Sequence, residues 1–391
     1  MGYTQLLECI WIICETDMEK LEKLLNSAKA LEKVPQGAIN SYLTNKSKML
    51  DSVNQVILKH PNLPDFLGDN TFDLLSVNHR NHVSFMAEIF TQNDFESLAK
   101  AIPWVYRAYH NQGVSYDYFK AELTAWINAI SSYIESEHQS SLISIYQWML
   151  NNHQLSIELS GLENDVGTTA KHHLDPIYKE FSGALTLNDH QQCLSICHQA
   201  LKLDIKLPDI FNYIIYPSMV DVGIQWEAGE ISVAQEHQAT AIVNRIIARL
   251  YYDTHFPDSL SGRAVVSAAP SEKHEMGAWM LSACLELDGW EVKYLGSDLP
   301  VQEIISTTLD GHTDLLALSI AMPFNLDSAR RVIKTVKSDD KGKNIKIIVG
   351  GQVFNRFPHI ADNMDVDKVL SNCWEAVEWA KSINREVIHD H

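Results

Sequence analysis

The chain has 391 residues, which at roughly 100–200 residues per domain means two to four domains. At 46% hydrophobic residues it can fill sizeable cores. Its formal charge of −19 argues against a nucleic-acid surface, which needs clustered Lys and Arg, and no apolar run approaches the ~20 residues of a membrane span.

The first apolar run, Leu6 to Cys14, is interrupted by Glu8 and has no basic flank or small-residue cleavage site. It is therefore not read as a signal peptide, and a cytoplasmic protein is expected. Residues 1–70 are helical in pattern, with Leu21, Leu24, Leu25 and Ala28 recurring at helical spacing until Pro61, Pro64 and Gly68 break it. Asn78-His79-Arg80-Asn81-His82 opens another helical stretch. After Asn93-Asp94 an aromatic-rich helix runs from Phe95 to His110, Gly113 stops it, and a further helix spans Tyr116 to Glu135. No strand-like alternation interrupts them. Residues 1–167 thus read as an all-α N-terminal domain, with the linker at Ser160–Gly167.

Residues 168–258 contain four helical segments with short connections: His172–Thr186, His190–Leu201, Pro208–Trp226, and one from Ser232, an N-cap type residue, to near Asp253. They predict an antiparallel four-helix bundle, with Pro217 kinking or dividing the third segment. Over residues 262–391 the period changes. Strands at Ala264–Ala268, Val292–Leu295, Leu315–Ile320, Ile345–Val349 and Val366–Leu370 alternate with helices, which predicts a Rossmann-like parallel sheet. The fold class is therefore multidomain, α followed by α/β. Ligands of such sheets bind beyond the carboxyl ends of the strands.

The six cysteines form no CxxC pair with zinc spacing and read as buried small side chains in a reducing compartment. The loop after the first strand has neither GxGxxG nor GxxxxGK[ST]. It carries Glu272-Lys273-His274, with Gly277 three residues on. An imidazole with a carboxylate close enough to orient it is a metal-ligand arrangement. One His cannot build a zinc site, but it can be the axial ligand of a metal already held in a macrocycle. The plain alternative is an exposed loop His. Upstream, Trp226 is followed after nine residues by Glu236-His237. By itself this is a weak pattern, because Trp126 is followed after ten residues by Glu137-His138 in the same chain.

Together, Trp226-x9-Glu236-His237 and Glu272-x-His274-x-x-Gly277, with Ser319 on the third strand and Gly350-Gly351 after the fourth, resemble the cobalamin-binding module of adenosylcobalamin-dependent photoreceptors. The resemblance covers residues 169–391. It implies adenosylcobalamin as cofactor, with His274 as the lower cobalt ligand. It places Trp226, Glu236 and His237 around the adenosyl group, and Lys273, Gly277, Ser319, Gly350 and Gly351 along the rest of the cofactor. An adenine does need an aromatic face and a few polar partners in an apolar cavity. One position departs from the pattern. In the DNA-binding, CarH-type members a His follows the Trp and takes cobalt after photolysis; here that residue is Glu227, and no MerR-type helix-turn-helix is present.

Residues 75–135 resemble the N-terminal region of photocobilins, through Asn78-His79-Arg80-Asn81-His82, Phe85, Met86, Phe95-x8-Trp104 and Gly113. That implies a bilin, biliverdin, as second chromophore, touched by His79, Arg80, His82 and Trp104. Such a ligand needs aromatic walls and cations for its propionates, for which Tyr106, Tyr109 and Arg107 are further candidates. The alternative is that the aromatic stripe is core and the His pair a solvated face or an interdomain contact. Three functions remain open: a light sensor signalling through oligomerisation or a protein partner, a corrinoid protein carrying methyl groups for a methyltransferase, and a cobalamin-sensing regulator without photochemistry. The chain stops soon after the last α/β helix, so no enzymatic output domain is expected.

Overall fold

The computed structural model of the chain describes residues 15–161, 172–257, 260–310, 312–361 and 364–389. These fall into two units. The first lies within Met1–Thr169 and takes in Glu227–Glu230; the second comprises Ala170–Trp226 and Ile231–His391. Cys9, Cys14 and most of the expected linker lie outside the described residues.

The first unit is all helix: α1 (Glu15–Lys29), α2 (Gln36–Leu58), α3 (Leu63–Leu67), α4 (Phe72–Gln92), α5 (Phe95–Asn111), α6 (Tyr116–Tyr133), α7 (Ser136–Asn151) and α8 (His153–Ser160). The turn between α4 and α5 shows why the chain breaks there. Asn93 adopts a left-handed conformation (φ 53°) that a short polar side chain tolerates, and Asp94 accepts a hydrogen bond from Ser97 N at 3.0 Å, capping α5. Helices α2, α4, α6 and α7 enclose the core, in which Tyr42, Phe90, Tyr118, Trp126 and Tyr146 are fully buried.

The second unit begins with the expected bundle: α9 (Asp175–Thr186), α10 (His190–Lys202), α11 (Leu207–Ile210), α12 (Tyr216–Glu227) and α13 (Val233–Tyr252). The segment from Pro208 to Trp226 is divided, one of the two outcomes expected of Pro217. A π-helical turn at Phe211–Ile215 separates α11 from α12. Pro217 has no N–H to donate and its ring crowds the carbonyl four residues back, so the widened turn just before it accommodates both defects. Ser218 Oγ donates to the Ile214 carbonyl, four residues back, at 2.7 Å. Helix α13 starts where its sequence says it should: Ser232 and Gln235 form a capping box.

The α/β part contains β1 (Gly262–Ala268), α14 (Met276–Leu287), β2 (Trp290–Tyr294), α15 (Val301–Asp310), β3 (Leu315–Ser319), α16 (Leu326–Ser338), β4 (Lys346–Gly350), α17 (Gln352–Arg356), β5 (Lys368–Leu370) and α18 (Cys373–His389). All strand pairs are parallel, in the order β2-β1-β3-β4-β5. Every residue of β1 from Ala264 to Ala268 is buried, as a sheet covered on both faces requires. The fold class is the one expected, and no helix among the described residues is long and apolar enough to cross a membrane.

The strand order reverses direction between β1 and β3. That crevice, beyond the carboxyl ends of the two strands, is where open α/β sheets bind ligands. Ala268 pairs with Ser319, and Ser319 with Gly350, so the three strand ends meet in one row. Gly351 follows with φ 115°, and a Cβ there would lie 2.2 Å from the Ile320 carbonyl oxygen. Both the dihedral and the space demand glycine. Gly351→Ala is therefore expected to destabilise the second unit by about 2 kcal/mol or more, measured by urea denaturation of the full chain. An unchanged midpoint would show that the β4–α17 turn relaxes freely.

Candidate functional site

The loop from β1 to α14 is drawn tight. Ser271 (φ 62°), and Asp298 beyond β2 (φ 56°), occupy left-handed backbone that non-glycine residues avoid. Asp298 N–H donates to the Glu272 carbonyl at 2.8 Å and Ser271 N–H to Leu299 O at 3.4 Å, so the two loops hold each other. Such backbone persists where its surroundings over-determine it, as at binding sites.

Glu272 sits at the centre and is only 1% exposed. Its Oε2 accepts from the Ala321 and Met322 amides, each at 3.0 Å, and from Asn325 Nδ2 at 2.9 Å. Its Oε1 accepts from the amides of Lys273 (3.1 Å) and His274 (3.2 Å) and faces His274 Nδ1 at 2.5 Å. Burial alone would raise this carboxyl's pKa. The His274 hydrogen bond and charge, with Asn325 and the Met322 amide, outweigh it and hold the pKa below the ordinary value. For His274, burial works against the charged ring. The hydrogen bond and charge of Glu272, reinforced by the charge of Glu236, nevertheless leave its pKa above the ordinary value. Its side chain remains 56% exposed, and Nε2 has no hydrogen-bond partner among the described residues. A carboxylate-fixed imidazole offering Nε2 outward is the form an axial metal ligand takes.

The small residues around this loop have reasons of their own. A Cβ at Gly277 would stand 3.0 Å from Ser319 Oγ, so the first turn of α14 lies directly against the end of β3. A Cβ at Gly350 would stand 2.7 Å from the Leu370 carbonyl oxygen, so β4 and β5 approach closely there. Packing against backbone requires glycine at Gly350, whereas at Gly277 a Cβ would press on the Ser319 hydroxyl; the same closeness leaves the strand ends bare of side chains. Lys273 is exposed beside them.

On the bundle, Trp226 is half-buried near the end of α12. Glu236 and His237 lie in the first turn and a half of α13, 27% and 74% exposed at the side chain. His237 Nδ1 is 2.5 Å from Glu236 Oε2, and Thr240 Oγ1 donates to Glu236 Oε1 at 2.9 Å. The residues present fit a macrocycle held between bundle and sheet: a free Nε2 below, bare strand ends beside it, and a polar pair with an aromatic on the bundle.

Two family models, each described as a B12 binding domain, match residues 177–251 and 262–370, the bundle and the sheet. The chain carries a cobalamin-binding module. Over 213 residues it is 23% identical to the dimethylamine corrinoid protein of Methanosarcina barkeri, covering 54% of this chain and 98% of that one. Over 111 residues it is 32% identical to the HTH-type transcriptional repressor CarH of Myxococcus xanthus, covering 28% and 36%. Among solved structures it is similar to the monomethylamine corrinoid protein of Methanosarcina barkeri, with a TM-score of 0.47 and 18% identity over 54% of this chain and 99% of that one.

The residues expected to hold cobalamin all lie in the second unit; of those expected to hold a bilin, His79 and His82 share one aromatic cluster in the first. His79 is fully buried, so the pair is not a solvated face. Its Nδ1 lies 2.7 Å from Asn54 Oδ1, its ring stacks on Tyr118, and its Nε2 has no partner. His82 stacks on Trp126 and bonds Tyr146 at 3.2 Å, with Glu122 at 3.9 Å. Arg80, one position on from His79, is exposed. Trp104 is half-buried on α5. Tyr106, also on α5, stacks on Phe119 and bonds His153 at 3.0 Å. Burial lowers His79 to about 4; burial, then the charge of His79, lowers His82 to about 3.

Sequence reasoning missed Glu122, although a signal existed. It shares the buried face of α6 with Phe119, Leu123 and Trp126. It missed Asn325, which is close to the site only in space, and Thr240, one helical turn on from Glu236. A cavity of about 430 Å³ lies elsewhere in the second unit, lined among others by Leu207, Cys284, Cys373 and Trp374; no motif residue lines it.

Burial raises Glu122 to about 7, although Trp126, Tyr118 and Asn78 donate hydrogen bonds to it. A carboxyl with a raised folded pKa stabilises fully below its unfolded pKa and loses that contribution as pH rises to the folded one. Relative to Glu122→Gln, the native helical unit should therefore lose on the order of 3 kcal/mol between pH 5 and pH 8. Urea titrations of both proteins at the two pH values check this, and a constant difference between them refutes it.

Proposed function

We propose that the chain is a cobalamin-dependent light sensor and not an enzyme. His274 binds cobalt from below in the base-off form, and Trp226, Glu236 and His237 enclose an upper adenosyl group. The carrying observation is the buried Glu272 with its six hydrogen-bond contacts, which fixes His274 with Nε2 outward at the crevice between β1 and β3. When bound, adenosylcobalamin supplies a cobalt–carbon bond that light cleaves. The protein's part is to hold one state of the bundle against the sheet while the upper group is present and to release it afterwards, a ligand-loss switch on a bistable interface. Output then passes to an oligomer or a protein partner in the cytoplasm, with no nucleic acid involved.

Within the same proposal the first unit binds biliverdin. Support comes from the buried aromatic cluster around His79 and His82 and from the unpartnered His79 Nε2. Arg80 is exposed on α4 and Trp104 half-buried on α5.

A second reading, a corrinoid methyl carrier serving a methyltransferase, draws on the similarity to the dimethylamine corrinoid protein along 98% of that chain. The Glu236–His237 pair favours the sensor, since a methyl-bearing cobalt must stay open to a large partner.

Dark-purified protein loaded with adenosylcobalamin should change its visible spectrum and its elution volume under brief green light. Photolysis no different from that of free cofactor, with no change in size or shape, overturns the sensor reading. His274→Ala should lose the base-off, His-on spectrum; retention of the same axial nitrogen refutes the ligand assignment. Purification from cells making biliverdin should give a red-absorbing band, and its absence in folded protein removes the bilin.

A further inference from the structure

Two imidazoles in the second unit are held by the same device. His274 has Nδ1 2.5 Å from a carboxylate oxygen of Glu272, and His237 has Nδ1 2.5 Å from a carboxylate oxygen of Glu236. In both, the second carboxylate oxygen is tied down, in Glu272 by Ala321, Met322 and Asn325 and in Glu236 by Thr240. In both, Nε2 has no partner among the described residues. A carboxylate on Nδ1 fixes the tautomer and leaves the lone pair on Nε2, which is what a metal-bound imidazole needs.

The two devices lie in one unit, on segments that meet. Helix α13 packs against α14, and α14 begins two residues after His274. The charge of Glu236 is felt at His274. The capping box at Ser232 and Gln235 fixes the start of α13, so Glu236 and His237 project from a rigid element. Other bundle histidines are engaged differently: His172 stacks on Tyr213 at 3.7 Å, and His198 lies 3.8 Å from Asp253.

A metal held in a macrocycle has two axial positions, one on each face. We infer that His237 is the second axial ligand, its Nε2 binding cobalt on the face opposite His274 when no organic group occupies that position. This rests on the proposed binding of cobalt by His274. Starting from cobalt(III) with water on that face, a bond from Nε2 to cobalt forms as the cobalt–oxygen bond breaks. The water leaves, the Nδ1 proton stays against Glu236, and no electron is transferred. The carboxylate thus has a task beyond contacting an adenosyl group: it presents a ligand for the cobalt left behind.

The test uses the full chain loaded in the dark with aquocobalamin. The wild type should show a visible spectrum that does not change between pH 6 and 9, because no cobalt-bound water remains to ionise, and it should take up cyanide slowly. His237→Ala should retain cobalamin through His274, regain a pH-dependent spectrum and take up cyanide at least tenfold faster, by roughly the factor such metal-site changes bring. Glu236→Gln, which keeps the imidazole but removes the charge, should fall between them. A pH-dependent spectrum in the wild type, or equal cyanide rates in wild type and His237→Ala, overturns the inference while leaving cobalamin binding by His274 intact. Failure of the wild type to retain cobalamin, or retention that His274→Ala does not alter, overturns the proposed site and this inference together.

Discussion

The second unit is organised around one buried carboxylate. Glu272 is 1% exposed and its two oxygens meet six donors, drawn from its own loop, the end of β3 and the start of α16. An ionised carboxylate without partners would be expensive to bury, and removing one of its donors would leave charge uncompensated. The loop therefore has little freedom once β1 and β3 are in place. His274 receives its position from this. Its ring is tethered through Nδ1, which determines where Nε2 points before any cofactor arrives.

The bundle repeats the arrangement in a more exposed setting. Glu236 and His237 form a pair, but on a helix surface where the imidazole is 74% exposed. Exposed ion pairs contribute little to stability. Under the proposed function this pair is a placed functional group, not a stabilising contact. One unit thus contains an imidazole tethered to a buried carboxylate and one tethered to a more exposed carboxylate; under the proposed function the first stays fixed while the second moves.

The first unit presents a different problem. Its core accepts polar groups that a hydrophobic pattern does not call for: Glu122, His79 and Asn78 are buried among Tyr118, Trp126 and Tyr146. Burial holds the carboxyl largely protonated toward neutrality and the imidazoles neutral, so the cluster persists as hydrogen-bonding groups and not as charges. Such a network specifies one packing arrangement only while its members are satisfied, and His79 Nε2 is not.

Local signals were enough to read the fold class. Helical periodicity, the Ser232 cap and the alternation of strands and helices are properties of neighbouring residues, and the elements formed close to where those signals lie. Pro217 showed that its helix would be disturbed, but not that the adjustment would be a π turn at Phe211–Ile215, because that depends on which carbonyls can be rescued. Glu272-x-His274 was legible because carboxylate and imidazole are two residues apart. Asn325 and the amides of Ala321 and Met322 were not, since 49 to 53 residues separate them from Glu272 and only the pairing of β1 with β3 brings them close. His79 and His82 could be placed on a helix from sequence, but whether they faced water or core depended on how α4 packs against α2 and α6. The sequence by itself determined the elements and the two His-bearing motifs, because short-range geometry and spacing carry that information. Only the tertiary structure decided which His is anchored and which polar groups are buried, because burial and long-range hydrogen bonds exist only after the elements have packed.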